Sequence, residues 1–211
     1  MAEVLARAIR IKRLGNNVAY LDALEAMRAF TAQRDEASDD ELWLLEHPPV
    51  YTLGLGADAV HGPRLDNGIP VVKVERGGDI TYHGPGQVVV YTLVDLVRRE
   101  LKVRAFVAML EQSVIDLLAE HGVRAARRPG APGVYVGGAK VAALGIRVAR
   151  GRTFHGLALN VDVDLRPFTV IDPCGYAGLA VTRTRDLGIA GTPGELGGRL
   201  AAILAARLGH A

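Results

Sequence analysis

A glycine-rich segment in front of an apolar strand constrains this chain more than any other feature. The segment "RGGDITYHGPGQ" runs from Arg76 to Gln87 and holds four glycines, and the apolar run "VVVYTLVDL" follows it directly. Glycine tolerates positive φ and lacks the Cβ that would obstruct a ligand, so glycines clustered beside a strand indicate a tight turn or a close ligand approach. The spacing matches neither a Walker nor a Rossmann phosphate loop. We predict a loop between two strands, which is either a decorated turn or part of a binding site.

Composition limits the classes of protein to which the chain can belong. Hydrophobic residues make up 49% and charged residues 23% of the 211 positions, which is ordinary for a globular protein and argues against disorder. The 25 basic residues barely exceed the 23 acidic ones, a weaker bias than nucleic-acid binding normally requires. We therefore expect a single domain over residues 1–211 and no nucleic-acid partner.

The distribution of charged and apolar residues predicts where in the cell the protein lies, and the cysteine content limits its chemistry. The start of the chain, "MAEVLARAIRIKRLG", scatters charges where a signal peptide would be apolar, and no segment approaches the roughly 18 apolar residues of a membrane span. These features predict a cytoplasmic protein without a membrane partner. The sole cysteine, Cys174, excludes an internal disulfide and is either a small core residue or a reactive thiol. Its position between Pro173 and Gly175, away from any apolar periodicity, favours the reactive thiol.

Hydrophobic periodicity predicts strands mixed with three helices, a mixed α/β fold without the regular alternation of a doubly wound sheet. A helix is expected after Asn16 or Asn17, either of which is a suitable N-cap. The C-terminal helix should begin with a capping box of Thr192 and Glu195. The other predicted elements are strands at 41–46 with a continuation at 50–53, strands at 69–76 and 87–96, a helix at 103–122, and an antiparallel hairpin of 136–148 and 153–163.

Four further small-residue segments each carry one polar or reactive group. They are "GGAK" ending at Lys140, "ALG" at 143–145, "FHGLALN" at 154–160 and "DPCG" around Cys174. Together with the glycine-rich segment, they resemble the lipoyl(octanoyl) transferases over most of the chain. This resemblance implies the fold of lipoate- and biotin-protein ligase catalytic domains, in which helices flank a mixed sheet and a substrate channel crosses one face.

The resemblance also implies a role for each matching residue. Cys174 would be the nucleophile that carries an octanoyl thioester, and Lys140 would lower the pKa of its thiol. His83 and His155 are interpreted as donors that shape the site rather than as bases. The residues expected to bind the acyl group are Arg76, Gly77, Gly78, Asp79, Ile80, Thr81, Tyr82, His83, Ala143, Leu144, Gly145, Gly156, Leu157 and Ala158.

The implied substrates are two proteins, and neither a metal nor a cofactor is expected. Octanoyl-acyl-carrier protein would be the donor, and lipoyl domains of 2-oxoacid dehydrogenase complexes and the glycine cleavage H protein would be the acceptors. We expect the transferase to act as a monomer. Two alternatives stay open: an ATP-dependent lipoate- or biotin-protein ligase, and a non-catalytic acyl-binding module in which Cys174 is incidental.

Overall fold

A computed structural model describes residues 9–57, 62–172 and 178–209. Its strands are β1 (Ile9–Gly15), β2 (Asp40–Leu45), β3 (Val50–Leu53), β4 (Val71–Lys73), β5 (Ile80–His83), β6 (Gln87–Leu93), β7 (Ala126–Arg127), β8 (Gly133–Val136), β9 (Ala139–Ala149) and β10 (Arg152–Asn160). Its helices are α1 (Tyr20–Gln33), α2 (Val103–Glu120) and α3 (Pro193–Gly209), with 3₁₀ turns at Arg166–Val170 and Thr184–Leu187. Within the described residues, no helix is both long and apolar enough to cross a membrane.

Two sheets organise the fold. The larger sheet has seven strands in the order β1-β2-β6-β10-β9-β8-β7, and all neighbours are antiparallel except β1 and β2. The smaller sheet has the order β4-β3-β5. This is the predicted fold class, a mixed sheet flanked by helices.

The two faces of the large sheet carry different cores because side chains alternate along each strand. On β6, Val88 and Val90 belong to the core formed with α2 and α3. Val89 and Tyr91 point to the opposite face, where they join the core of α1. The β6 strand is buried at every position, as expected for a strand covered on both sides.

Several predicted elements are confirmed. Helix α2 and the β9–β10 hairpin lie where periodicity indicated. At the start of α3, the Thr192 backbone N–H donates to Glu195 Oε2 at 2.8 Å, and the Glu195 N–H donates back to Thr192 Oγ1 at 3.3 Å. The predicted capping box therefore forms in full.

Other predictions were wrong in instructive ways. The N-cap of α1 is Ala19, with no side-chain cap, so neither Asn16 nor Asn17 has the predicted role. The segment 50–53 does not continue the preceding strand but enters the smaller sheet, because the two prolines before it break the ladder. The glycine-rich segment contains strand β5 instead of being loop throughout. The predicted strand 136–148 begins only at Ala139, after a glycine turn.

A buried ion cluster joins three parts of the chain. The Asp40 carboxylate is fully buried and accepts hydrogen bonds from the guanidinium groups of Arg34, Arg98 (2.7 Å) and Arg99 (2.6 Å). It also accepts the backbone N–H of Asp95 at 2.8 Å. The cluster ties the end of α1 and the start of β2 to the segment after β6. Removing its one shared carboxylate charge takes away the counter-charge that these buried guanidinium groups have in common.

We expect Asp40→Asn to lower the free energy of unfolding by about 3–5 kcal/mol, the usual cost of breaking a buried ion pair. The measurement is urea denaturation followed by circular dichroism. Asp39→Asn is the matched control, since Asp39 pairs with an Arg10 side chain that is 66% exposed and should cost less than about 1 kcal/mol. Equal losses in the two variants would show that the buried cluster does not hold the fold together.

Candidate active site

A cavity lies on the α1 side of the large sheet, between strands β6, β10 and β9 and the segment 76–83. The predicted site residues that line it are Arg76, Gly78, Asp79, Ile80, Thr81, His83, Lys140, Ala143, Leu144, Gly145, Gly156, Leu157 and Ala158. The glycine-rich segment and the β9–β10 hairpin, which are far apart in sequence, are thus brought together around one space. The binding of an acyl group by these residues stays a prediction at this point.

Small residues on the cavity face of two strands make the space. Ala143 on β9 is paired with Ala158 on β10, and Gly145 is paired with Gly156 two residues along. Because side chains alternate, these four positions share one face of the sheet. A Cβ at Gly156 would lie 2.1 Å from the Val90 carbonyl oxygen, so this position excludes any larger residue. The result is an apolar hollow where the rest of the face is filled by large side chains.

The glycine-rich segment forms the opposite wall by lying directly on β9. The Gly77 N–H donates to the Ile146 carbonyl at 3.0 Å. A Cβ at Gly145 would lie 2.7 Å from the Gly77 carbonyl oxygen, so the approach needs glycine on β9. Arg76 fixes the segment from the other side, since its Nη2 donates to the Thr52 carbonyl at 2.7 Å and to Thr52 Oγ1 at 2.8 Å.

Two predicted residues lie in the segment but not on the cavity wall. Gly77 contributes its backbone to the contact with β9. The Tyr82 ring packs against the rings of Tyr51 (centroids 5.5 Å apart) and Phe168 (5.4 Å). Gly77 and Tyr82 therefore hold the glycine-rich segment in place without lining the cavity themselves.

Lys140 lies near the start of β9 and is only 3% exposed. Its Nζ donates to the Pro132 carbonyl at 3.3 Å and lies 5.3 Å from the centroid of the Tyr135 ring. Backbone hydrogen bonds with Ala180 (2.8 Å) and Thr182 (2.9 Å) hold the strand at this point. A carbonyl dipole and an aromatic face both favour a cation in this position.

Cys174, the predicted nucleophile, lies outside the described residues, as do its neighbours from 173 to 177. The described chain ends on one side at Asp172, whose carboxylate pairs with Arg64 at 2.6 Å, and resumes at Gly178. From there it runs to Val181, which forms a bridge with Lys140. The pairing of Cys174 with Lys140 therefore stays a prediction.

A chain of buried polar groups connects His83 to the backbone of Lys140. Gln87 Oε1 lies 2.6 Å from His83 Nδ1, and Gln87 Nε2 donates to Asn160 Oδ1 at 2.9 Å. Asn160 Nδ2 donates to the Thr182 carbonyl at 3.0 Å, and the Thr182 N–H donates to the Lys140 carbonyl. Since the Gln87 oxygen can only accept, His83 carries its proton on Nδ1 and presents Nε2 as an acceptor. Burial lowers the pKa of His83 to about 3, so the ring is neutral.

His155 is the least satisfied polar side chain on the wall. It is 1% exposed, and neither ring nitrogen has a hydrogen-bond partner among the described residues. Its φ of 61° is left-handed, which costs a non-glycine residue about 1–2 kcal/mol. Burial, and then the charge of Arg76, lower its pKa to about 4. A strained, neutral imidazole with both nitrogens unpaired is suited to bind a ligand or an ordered water.

Sequence reasoning missed the aromatic and amide residues of the wall. His47 does not line the cavity but packs against Tyr20 and His83, which do. Its pKa is lowered to about 4 by burial, and its Nδ1 lies 2.6 Å from the Val18 carbonyl. Nδ1 is therefore the donor, and Nε2 accepts from the Tyr91 hydroxyl at 2.6 Å. Tyr20 stacks on His83 with ring centroids 5.9 Å apart. The one sequence feature that could have identified some of these residues is a polar side chain within an apolar strand, such as Gln87 in β6 and Asn160 in β10. The missed residues that line the cavity are Tyr20, Gln87, Val89, Tyr91, Asn160, Phe168 and Val181.

Comparison with known proteins decides the family. The lipoyl protein ligase A/B catalytic domain model matches residues 19–187. An octanoyltransferase of Azoarcus sp. strain BH72 is 57% identical over 199 residues, which cover 94% of this chain and 87% of that protein. An octanoyltransferase of Thiobacillus denitrificans is 62% identical over 179 residues, covering 85% and 81% respectively. The chain belongs to the octanoyltransferase family. The enzyme is therefore a transferase that acts in protein lipoylation.

Solved structures agree with the octanoyltransferase fold. A lipoate-protein ligase A bound with ATP superposes with a TM-score of 0.78 at 16% identity, over 94% of this chain and 84% of that one. A biotin protein ligase from Aquifex aeolicus in complex with biotin and ATP has a TM-score of 0.59 at 11% identity, over 95% and 70%. At such identities the likeness concerns the fold alone. It confirms the predicted relation to the ligase catalytic domains.

The buried histidines predict how the stability of the enzyme depends on pH. The pKa of His155 is lowered from 6.5 to about 4, so the unfolded chain binds the extra proton first as pH falls. The stability that a neutral His155 supplies is thus present above pH 6.5 and is lost progressively down to about pH 4. We expect His155→Asn, which tolerates the left-handed backbone, to reduce the fall in unfolding free energy across this range.

The measurement is urea denaturation at a series of pH values. His121→Asn, at the exposed C-terminal end of α2, is the control for the loss of a histidine. Identical pH profiles for the wild type and His155→Asn would contradict the burial of a neutral imidazole.

Proposed function

We propose that the enzyme moves an octanoyl group from a carrier-protein thioester to a lysine of a lipoyl domain through a thioester on Cys174. The observation that carries this proposal is the buried side chain of Lys140 at one end of a cavity walled by glycine and alanine. An acyl chain needs such an apolar wall, and thiol chemistry needs a cation close to the sulfur. Homologues named octanoyltransferase supply the identity of the acyl group.

The chemistry requires a sulfur that both attacks and departs readily. A free thiol with a pKa of about 8.5 is only a few per cent thiolate at neutral pH, whereas a pKa near 6 would make it mostly thiolate, a gain of about thirtyfold. A positive charge within about 4–6 Å of the sulfur favours the thiolate. Lys140 is the candidate for that charge, because its side chain is buried on the cavity wall.

Protons and bonds balance over two half-reactions. In the first, Lys140 in its neutral form takes the Cys174 proton, and the thiolate attacks the octanoyl carbonyl. The new C–S bond forms as the carrier thiolate leaves and takes a proton from the Lys140 ammonium. In the second, the acceptor lysine, after losing one proton to solvent, attacks the thioester as a neutral amine, and its nitrogen passes a second proton to neutral Lys140. An amide forms, and the Cys174 sulfur is released and ready for the next donor.

The acyl chain would run along strands β9 and β10, over the small residues. From Lys140 to Gly145 the β9 strand advances five residues, roughly 17 Å at strand spacing. His155, next to Gly156 on the paired strand, and Arg76 line the far end. In this arrangement the carbonyl lies near Lys140 and the methyl end near His155. We therefore expect the octanoyl chain to contact the segments 76–83, 143–145 and 156–158.

A covalent intermediate also suits two protein substrates. Direct transfer would require the carrier and the lipoyl domain to dock together over one small cavity. A thioester on the enzyme lets the donor protein leave before the acceptor arrives. The proposed donor is therefore octanoyl-acyl-carrier protein, and the proposed acceptors are lipoyl domains and the glycine cleavage H protein.

Cys174 should become octanoylated when the enzyme meets octanoyl carrier protein without an acceptor. Intact-mass spectrometry should show one added octanoyl group on the wild type, which hydroxylamine or an apo lipoyl domain removes. Because the chain has a single cysteine, Cys174→Ala should show no adduct. Transfer by Cys174→Ala at the wild-type rate would eliminate the thioester mechanism. Transfer only with ATP and free octanoate would favour a ligase.

Lys140→Ala should slow turnover at neutral pH and shift the reactivity of the thiol to higher pH. The test is the rate of iodoacetamide alkylation of Cys174 against pH, whose midpoint should move toward about 8.5 in the variant. Lys102→Ala, at an exposed lysine before α2, is the matched control. Superimposed curves for the wild type and Lys140→Ala would remove Lys140 from its proposed role.

A further inference from the structure

The side chain of His155 does not follow the alternation expected of its strand. Its ring stacks on the ring of the preceding residue, Phe154, with centroids 5.0 Å apart and ring planes 27° from parallel. Consecutive residues of a strand normally point to opposite faces of the sheet. The left-handed φ of 61° at His155 accounts for the exception, because it turns the side chain away from the direction it has in extended backbone. The imidazole therefore lines the cavity, beside Gly156.

The strained backbone of His155 is held by the strands on both sides. The Thr92 hydroxyl of β6 donates to the His155 carbonyl at 3.1 Å, and His155 is paired with Ile146 of β9. Strain of this kind persists only where the surroundings over-determine the conformation, and it is concentrated at functional sites. Its effect here is to bring a polar ring onto the small-residue face of the cavity.

The surroundings of the ring leave its nitrogens unpaired. His155 is 1% exposed, and neither Nδ1 nor Nε2 has a hydrogen-bond partner in the described part of the chain. The ring contacts are aromatic: Phe154 stacks on it, and Tyr91 meets it edge-on with centroids 6.2 Å apart. Buried polar groups in proteins are nearly always paired, so an unpaired imidazole on a cavity wall indicates a polar group of a ligand.

The charges around the ring select the chemistry of that polar group. Burial, and then the charge of Arg76, lower the pKa of His155 to about 4, while the charge of Glu75 raises it. The imidazole is thus neutral, with one N–H donor and one acceptor nitrogen. A hydroxyl matches this pair, because it both donates and accepts. A carboxylate would only accept and would be repelled by Glu75, and an ammonium would only donate and would be repelled by Arg76.

His155 lies at the end of the cavity away from Lys140. Its partner on β9, Ile146, is six residues beyond Lys140, roughly 20 Å at strand spacing. With the acyl carbonyl near Lys140, the atoms that approach His155 are the last ones of the acyl chain. An apolar chain that reaches the ring covers its nitrogens with groups that cannot form hydrogen bonds, whereas a terminal hydroxyl pairs with them.

We propose that His155 is a specificity-determining residue that favours a terminal hydroxyl on an acyl chain long enough to reach it and disfavours a methyl group at that position. The proposal rests on the function proposed above and adds a class of substrate, the ω-hydroxyacyl thioesters. An apolar pocket discriminates weakly between such chains, whereas a site that hydrogen-bonds a hydroxyl discriminates strongly against the analogue that lacks it.

The test compares pairs of small thioester donors, without a protein carrier, that differ only in a terminal methyl or hydroxyl group. Octanoyl is paired with 8-hydroxyoctanoyl and decanoyl with 10-hydroxydecanoyl, and transfer to a lipoyl domain is followed by mass spectrometry. For the ten-carbon pair we expect wild-type kcat/KM to be about tenfold higher for the hydroxyl donor, the effect of one hydrogen bond to a buried group. His155→Phe, which keeps a planar ring without nitrogens, should reverse this preference.

A ratio of two donors measured on one enzyme does not change when a variant merely loses stability. If His155→Phe does not fold, His155→Gly gives the same comparison, because glycine adopts the left-handed backbone without strain. His121→Phe, at an exposed position after α2, is the control and should keep the wild-type ratio. A wild-type ratio of one or less for the ten-carbon pair, or the same ratio without the imidazole, would overturn the role of His155. The transferase function is tested separately, since it fails only if the wild type does not transfer octanoate from any thioester.

Discussion

The contact between the glycine-rich segment and strand β9 is the one on which the cavity depends. The Gly77 N–H bonds to the Ile146 carbonyl, and Gly145 leaves room for the Gly77 carbonyl at a distance where a Cβ could not fit. Arg76 holds the same segment to Thr52 of the smaller sheet. The small sheet is thereby clamped over the small-residue face of the large one. Without that clamp the glycine and alanine positions would be an open, apolar strip of sheet with nothing above it.

The clamp helps to bury the polar side chains that line the cavity, and this burial changes their pKa values. His83 and His155 line the cavity with pKa values lowered by burial, so both are neutral under conditions where free imidazole is partly charged. Neutral histidines add no positive charge that would compete with Lys140. The amide chain from Gln87 through Asn160 gives His83 a hydrogen-bond partner without introducing charge. Lys140 and Arg76 are thus the two basic side chains of the wall, apart from its neutral histidines.

Sequence reasoning recovered the elements whose signal is local. Helix α2, the capping box of α3 and the β9–β10 hairpin follow from periodicity and turn residues within each segment. It missed strand β5, because the hydrogen bonds of that strand are made to β3, some thirty residues earlier. Among the site residues, motif resemblance found those on the glycine-rich segments. It missed Tyr20, which occupies an ordinary buried helix position, and Gln87 and Asn160, whose pairing joins strands far apart in sequence.

The fold alone does not separate a transferase from a ligase, since a lipoate-protein ligase bound with ATP superposes closely at 16% identity. The distinction is chemical. A free acid must be activated before an amine can attack it, whereas an octanoyl thioester arrives activated and needs a nucleophile that can hold the acyl group. In the proposed function, the sole cysteine holds the acyl group and the buried lysine on the cavity wall activates its sulfur. A lysine alone suits either chemistry, because an ammonium can also bind the phosphates of a nucleotide, so the cysteine is the residue on which the distinction between the two functions depends.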